Sequence, residues 1–349
     1  MKVLIIAGGH GTRLWPQSRR SRPKQLQPLL SEKSLLQETV ERALGLGEPA
    51  DIFVVVSDHF QLAAVQQQLP QIPPANIIRE PTGKNTLAAI TCGIAELVRR
   101  GFAEETAVIL YADHAISNPE LMYEAFRRGA NFLKKYPDHL LILGVRPTYP
   151  EPGYGYIECG QEIVPGVNEV YAFREKPNQD TATEFIKGGR HLWNAGLFQW
   201  RVDTFADRLR SLSPEHAPIL DATDEIELKQ AYESAPPVAI DYIIFEKDDR
   251  LATLPVALEW RDIGHWAAVK KHLQLKSGDN VIRGDHLGID TKDCLIINQS
   301  QRPIVTIGLT GYVVIDTGDA LLICPTDRAQ DVRKATDLLG DDIRYSDFI

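Results

Sequence analysis

The regular alternation of apolar and amphipathic stretches in the first half of the chain constrains its fold more than any other feature. Short apolar, β-branched runs fall at residues 2–7, 51–56, 76–79, 106–111 and 139–145. Between them, helical spacing predicts helices near 34–46, 58–69, 85–100 and 119–135, with Ser57 and Asn85 where N-caps belong. A strand that is apolar on both faces must be covered on both, and a helix between two such strands supplies the crossover that parallel pairing needs. The pattern predicts an α/β fold, a Rossmann-like and mainly parallel sheet with helices on both sides. Ligands gather at the carboxyl ends of such strands, so loops directly after strands are where chemistry belongs.

From about residue 150 the pattern loosens. Strands are predicted at 153–158 and 196–202, and helices at 179–188 and 203–211. After residue 276, short β-type runs at 281–282, 287–289, 294–297, 304–307, 312–315 and 320–323 recur with Gly and Asp between them. A helix at 327–339, capped by Thr326 or Asp327, closes this region. The reading divides the chain into a catalytic domain at 1–275 and a small C-terminal β-rich domain at 276–349. A left-handed β-helix-like coil suits the second, although no clean hexapeptide repeat is present.

Composition excludes several classes. No run of eighteen apolar residues occurs, so no membrane-spanning helix is predicted. The opening apolar run breaks at Gly8-Gly9 and reads as a buried strand rather than a leader. The four cysteines, at 92, 159, 294 and 324, form no CxxC pair, which points away from structural zinc and disulfides and toward reduced thiols in a cytoplasmic protein. A net charge of -9 argues against a general nucleic-acid surface. Against that acidity, Arg13, Arg19, Arg20, Arg22 and Lys24 fall within twelve residues that contain no carboxylate.

That basic run follows Gly8-Gly9-His10-Gly11-Thr12, directly after the first strand. Glycines there let backbone N–H groups approach an anion, and Arg13 and Lys24 add charge suited to a polyphosphate. A plain turn is the bland alternative, and of Arg19, Arg20 and Arg22 two are expected to be merely exposed. Glu80-Pro81-Thr82-Gly83-Lys84-Asn85 follows the third strand and offers acceptors and donors to the edge of a base, or simply a helix N-terminus. Asp113 follows the fourth strand, and Asp262 lies in a distant aromatic segment. One aspartate alone is more often a turn residue, but two in such contexts suit Mg²⁺ beside phosphates. Glu175, Asn194 and Asp241 are the residue types that grip sugar hydroxyls, and Lys176 suits a monophosphate.

Taken together these motifs resemble the sugar-1-phosphate nucleotidylyltransferases, and among them the mannose-1-phosphate guanylyltransferases. The resemblance runs in order from residue 3 to about 274 and includes Gly8-Gly9-x-Gly11-Thr12-Arg13-Leu14-Trp15-Pro16, Pro23-Lys24-Gln25 and Ser34-Leu35-Leu36-Gln37. It continues through Asp113-His114, Gly153-Tyr154-Gly155-Tyr156, Glu175-Lys176-Pro177, Trp193-Asn194 and Ile240-Asp241-Tyr242. The guanylyl branch is implied by Glu80-Pro81-x-Gly83-Lys84-Asn85-Thr86 together with Trp15.

The resemblance implies in-line attack of mannose 1-phosphate on the α-phosphorus of GTP, with no covalent enzyme intermediate. Arg13 and Lys24 would clamp the triphosphate; Gly8, Gly9, Gly11, Thr12, Glu80, Pro81, Gly83, Asn85 and Asp113 would bind the nucleotide. Gly155, Glu175, Lys176, Asn194 and Asp241 would bind the sugar phosphate, and Asp113 and Asp262 would hold Mg²⁺. A homodimer is implied, and one activity only, since the C-terminal part is shorter than the isomerase-bearing extension of bifunctional relatives. The sequence departs from the family at Lys84 (usually arginine), Leu87-Ala88, Ala195, Ala239 and His265 (serines in relatives). Rival readings are a different sugar phosphate or base, or a non-catalytic sugar-nucleotide-sensing subunit.

Overall fold

The runs apolar on both faces pair as parallel strands. In the computed structural model, which describes every residue except His10 and Asp58 and the side chains of all but these and His59, Phe60 and Gln61, the first four strands are β1 (Lys2–Ile6), β2 (Ile52–Val56), β3 (Ile77–Arg79) and β4 (Thr106–Tyr111). His10, the variable position of the glycine-rich motif, and residue 58, where the second predicted helix starts, thus lie outside the described residues. The four strands lie side by side in the order β3-β2-β1-β4, all parallel, with Val3 beside both Ile52 and Val108.

Seven more strands follow: β5 (His114–Ile116), β6 (Leu140–Val145), β7 (Tyr156–Val164), β8 (Val167–Arg174), β9 (His191–Arg201), β10 (Leu251–Val256) and β11 (Trp260–Asp262). Five of these extend the sheet to nine strands, in the order β3-β2-β1-β4-β9-β6-β10-β8-β7, while β5 and β11 pair separately. β9 runs antiparallel to both β4 and β6, and β6 pairs parallel with β10. Alternation in the first half announces the parallel strands; the antiparallel pairs arise because β9 returns between β4 and β6.

Predicted helices appear as Leu35–Ala43, His59–Gln68, Asn85–Arg99, Pro119–Lys135, Gln179–Gly188 and Val202–Leu212. The first begins with a reciprocal cap: Ser34 Oγ accepts from the Gln37 N–H at 3.2 Å, and Gln37 Oε1 accepts from the Ser34 N–H at 3.0 Å. Asn85 does not act as the predicted N-cap. It adopts a left-handed φ of 72°, and its Oδ1 accepts from the adjacent Thr86 N–H rather than from a later turn. The helix Asn85–Arg99 packs against β1 so closely that a Cβ on Gly93 would fall 2.4 Å from Leu4 Cδ2. Leu4, Phe53, Ile90, Ile94, Ile109 and Trp200 are fully buried in this core, each contributing roughly 1.5–3 kcal/mol of hydrophobic stabilisation.

The C-terminal runs form β12 (Val281–Arg283), β13 (His286–Ile289), β14 (Leu295–Asn298), β15 (Ile304–Ile307), β16 (Tyr312–Asp316) and β17 (Leu321–Pro325). β12, β14 and β16 stack in parallel, Val281 beside Leu295 and Leu295 beside Val313; β13 and β15 form a second parallel pair. Successive rungs of a coiled chain stack in this way, and β17 ends the coil antiparallel to β16. The closing helix differs from expectation. Thr326–Asp331 is a 3₁₀ segment and the α-helix is Val332–Gly340, so neither Thr326 nor Asp327 caps it.

The chain forms two compact units. The first comprises Met1–Gly8, Thr39–Ala112 and Ile116–Trp260; the second comprises Gly9–Glu38, Asp113–Ala115 and Arg261–Ile349. In the second unit Leu14, Leu29, Leu30 and Leu35 share a core with Ile263, Trp266, Leu295 and Val313, which places the basic loop with the C-terminal coil. No described helix is long and apolar enough to cross a membrane.

Candidate active site

Both cations singled out in the glycine-rich region, and both aspartates, fall in the second unit. Gly9 and Gly11 have φ of 87° and 68°, a left-handed backbone that glycine adopts freely. At Gly11 the requirement is also steric: a Cβ would stand 2.6–2.7 Å from Cβ, Cγ and Cδ of Lys24. The Lys24 stem therefore crosses the face of the turn. Its ammonium lies 2.6 Å from Asp113 Oδ2 and donates to the Ile263 carbonyl at 3.3 Å. Asp113 is fixed from the backbone, its carbonyl accepting from the Ile263 N–H at 3.0 Å.

Electrostatics in this cluster are mutually reinforcing. Burial alone would pull the Lys24 ammonium down, yet Asp113 and Asp262 outweigh it and hold the group above its ordinary value. Burial likewise opposes the Asp113 carboxylate, but Lys24 and then His114 keep it below the usual range. Arg13 and Asp262 flank Gly264, where a Cβ would meet Arg13 Nη2 at 3.3 Å and Asp262 Oδ2 at 3.4 Å. Among the described residues, Asp113, His114 and Asp262 each offer a ligand atom within 4.8 Å of the others. Asp262 Oδ1 is buried and accepts no hydrogen bond from the described residues. A hard divalent cation beside phosphates uses one or two carboxylates, so this donor set fits Mg²⁺.

His265, a departure from the serine that the resemblance implies, is a helix cap. Its Nδ1 accepts from the Ala268 N–H at 3.4 Å, the bond a serine hydroxyl would supply, at the head of the helix Trp266–Leu273. Burial, followed by the charge of Arg13, holds the imidazole below its ordinary pKa and favours the neutral, accepting ring. Arg20 and Arg22 are exposed, whereas Arg19 is 4% exposed and engaged by Asp319.

Thr12 opens the 3₁₀ turn Thr12–Leu14 in the second unit, and the remaining predicted residues lie in the first unit, in two groups. Gly8 ends there, and a Cβ on it would be 3.8 Å from Glu80 Oε2. Glu80 is 3% exposed, accepts from the Tyr232 hydroxyl at 3.2 Å, and is pushed up to about 7 by burial. Pro81 and Thr82 form a bend, and Gly83 follows it on the way to Asn85. Lys84, where the resemblance implies arginine, donates to the carbonyls of Glu233 and Ala235 at 3.3 and 3.0 Å. Tyr232 was not legible as a partner of Glu80, because 152 residues separate them.

In the second group, the register of β9 against β6 shifts between Ile142 and Gly144, which marks a bulge around Asn194-Ala195-Gly196. The bulge points Asn194 at Asp241, Nδ2 donating to Oδ1 at 2.9 Å, while the Asn194 N–H donates to the Gly155 carbonyl at 2.8 Å. Gly155 has no room for a side chain, since a Cβ would meet Glu175 Oε2 at 2.6 Å. Glu175 pairs with Lys176 at 2.7 Å. Burial and then the neighbouring Glu175 push Asp241 up to about 7. Gly155, Glu175, Lys176, Asn194 and Asp241 thus form one polar cluster of two acids, an amide and a cation, matched to hydroxyls and a phosphate.

Comparison with known proteins agrees with the motifs. Residues 2–275 match the family described as "Nucleotidyl transferase", and residues 284–339 match "MannoseP isomerase/GMP-like beta-helix domain". The chain is 31% identical to a mannose-1-phosphate guanylyltransferase of Escherichia coli, over 98% of this chain and 74% of the relative. It is 34% identical to the xanthan biosynthesis protein XanB of Xanthomonas campestris pv. campestris, over 95% of this chain and 71% of the relative. A crystal structure described as "mannose-1-phosphate geranyltransferase" from Thermus thermophilus superposes with a TM-score of 0.87 at 33% identity, covering 97% of this chain and 98% of that one.

Proposed function

The chain belongs to the nucleotidyl transferase family, and from that premise we propose that it transfers GMP from GTP to mannose 1-phosphate, giving GDP-mannose and pyrophosphate. The observation that carries this reading is the convergence of Arg13, Lys24, Asp113 and Asp262 in one cluster. The printed name of the Escherichia coli relative supports the choice of nucleotide and sugar.

The nucleophile needs no enzymic activation by a base, because a phosphate monoester has a second pKa near 6 and is already anionic at neutral pH. Catalysis then consists of positioning and neutralising charge. Lys24 and Arg13 offer fixed cations to the triphosphate, and the left-handed turn at Gly9 and Gly11 offers backbone N–H groups. Asp113 and Asp262 would hold Mg²⁺, which when bound offsets the negative charge of the reacting phosphates. Glu175, Asn194 and Asp241 orient the sugar hydroxyls, Lys176 faces its phosphate, and Glu80 with Asn85 meets the edge of the base. Pyrophosphate release across a panel of nucleoside triphosphates and sugar 1-phosphates tests the assignment. GTP with mannose 1-phosphate should be the best pair; a better pair corrects the substrate, and tight product binding without turnover would support a sensing subunit.

A homodimer accompanies this reading. Leu287, Ile289, Val305 and Ile307 are all exposed on the paired strands β13 and β15, Leu287 beside Val305 and Ile289 beside Ile307. An aliphatic face of this kind is suited to contact with a second copy.

A further inference from the structure

Side chains that no motif marks hold the basic loop inside the C-terminal unit. Arg19 reaches Asp319 through two bonds, Nη1 to Oδ2 and Nη2 to Oδ1, each 2.8 Å. Asp319 is itself preset: Thr317 Oγ1 donates to its Oδ1 at 2.7 Å, and the Thr317 N–H closes the turn on the Ala320 carbonyl at 3.0 Å. Arg22 lies 3.7 Å from the same carboxylate. Arg19 and Arg22 also exchange backbone hydrogen bonds of 3.0 and 2.9 Å, so the narrow bend that leads into Pro23-Lys24 is pinned at Asp319.

A second pair acts on the other cation. Gln330 Oε1 accepts from Arg13 Nη1 at 2.9 Å. A neutral amide orients a guanidinium without cancelling its charge, which leaves Arg13 able to meet an anion. Arg19, by contrast, is neutralised by a bidentate carboxylate, and that separates an anchoring arginine from a phosphate-binding one. Trp15 lies between the two cations along the chain and is also fastened. Its Nε1 donates to the Phe348 carbonyl at 2.6 Å, and its own carbonyl accepts from Trp266 Nε1 at 2.8 Å.

We propose that Asp319 and Gln330 are positioning residues for nucleotidyl transfer: Asp319 fixes the bend that presents Lys24, and Gln330 holds the Arg13 guanidinium beside Asp262. The end of the C-terminal coil and the 3₁₀ segment after it thereby serve the chemistry by fixing the geometry of the phosphate cations. This inference rests on the proposed nucleotidyl transfer for its kinetic consequence, but not for its structural one.

Two measurements on the full chain test it. Gln330 is exposed, so replacing it disturbs no core. Gln330→Glu, which would cancel the Arg13 charge, should lower kcat/KM for MgGTP by about tenfold or more, and Gln330→Ala by about threefold, since misplacing a catalytic group by 1 Å can cost on the order of 10²-fold. KM for mannose 1-phosphate and the unfolding temperature should stay unchanged. Asp319→Ala should raise the KM for MgGTP and speed hydrogen exchange of the amides of residues 12–26, while those of β1–β4 keep their wild-type rates. Wild-type kcat/KM in both Gln330 variants, or an Asp319→Ala protein that melts earlier with KM for MgGTP and loop exchange unmoved, overturns the proposal. If the wild-type chain transfers no nucleotide, the functional reading has failed separately, and exchange in the loop still decides whether Asp319 fixes it.

Discussion

Replacing Gly11 with alanine should remove most of the turnover without altering any charged group. Gly11 has a φ of 68°, and an added methyl would sit 2.6–2.7 Å from three carbons of Lys24. Carbon atoms are in favourable contact at about 3.5–4.0 Å, so one side must move by roughly 1 Å. Lys24 is 7% exposed and tied to Asp113 and Ile263, so its stem cannot swing aside without giving up the 2.6 Å contact with Asp113. The backbone contribution is modest, about 1–2 kcal/mol for a side chain in the left-handed region. The functional contribution is larger, because displacing a positioned charge by 1 Å costs on the order of 10²-fold in rate. Gly11→Ala should therefore fold, unfold a few degrees earlier, and release pyrophosphate about a hundredfold more slowly. Lys24→Ala alone should cost about 10²- to 10³-fold. The double variant should be no slower than Lys24→Ala, since both changes act through the same ammonium. Turnover of Gly11→Ala within about threefold of wild type, or losses that multiply in the double variant, would refute the argument that Gly11 exists to let Lys24 pass.

Three further outcomes follow from the same geometry. Asp262→Asn removes the charge and one of the two oxygens of a carboxylate whose buried Oδ1 has no partner among the described residues, so the Mg²⁺ concentration for half-maximal rate should rise about tenfold or more; an unchanged metal titration would take Asp262 out of the metal site. Glu80 is raised from 4.5 to about 7 in the fold, so the folded state binds its proton more tightly, and the stability this contributes is complete below about pH 4.5 and lost as pH rises through 7, a change of roughly 3 kcal/mol at most. Glu80→Gln should accordingly unfold at a higher temperature than wild type above pH 7, with the gap closing toward pH 4.5; a gap that is constant with pH would contradict the assignment. Ile307→Glu on the exposed aliphatic face should shift the mass measured by light scattering from dimer to monomer, and a wild-type protein that is already monomeric would end that proposal.

Much of the fold was legible because the controlling signals are local. Continuous apolar runs gave β1 to β4, whereas the cap predicted at Asn85 is not one, and the reciprocal Ser34–Gln37 cap, passed over in the sequence, emerges only in the structure. The position of β9 was not legible: its periodicity reports a strand, but its insertion between β4 and β6 is a choice among distant partners. Asp113 and the glycine-rich turn stood out because a buried strand leads directly into each, Arg13 and Lys24 because their run holds no carboxylate, and Asp262 as a carboxylate amid aromatics. Their supports did not, because Asp319 lies 300 residues from Arg19 and Gln330 lies 317 from Arg13. Nor could a charge run separate Arg19 from its neighbours; burial did so, since a guanidinium out of water must have a carboxylate. His265 departs from the serine that the resemblance implies, and only the structure shows its ring nitrogen accepting the Ala268 N–H at the head of a helix.

A crystal structure of the chain with GTP and Mn²⁺ in place of Mg²⁺, with the metal located by its anomalous scattering, bears most directly on the account. The manganese peak should lie against Asp113 and Asp262 and touch the triphosphate, with Lys24 and Arg13 within hydrogen-bonding distance of the same phosphates. A metal seated elsewhere, or a triphosphate that neither cation touches, would contradict the account.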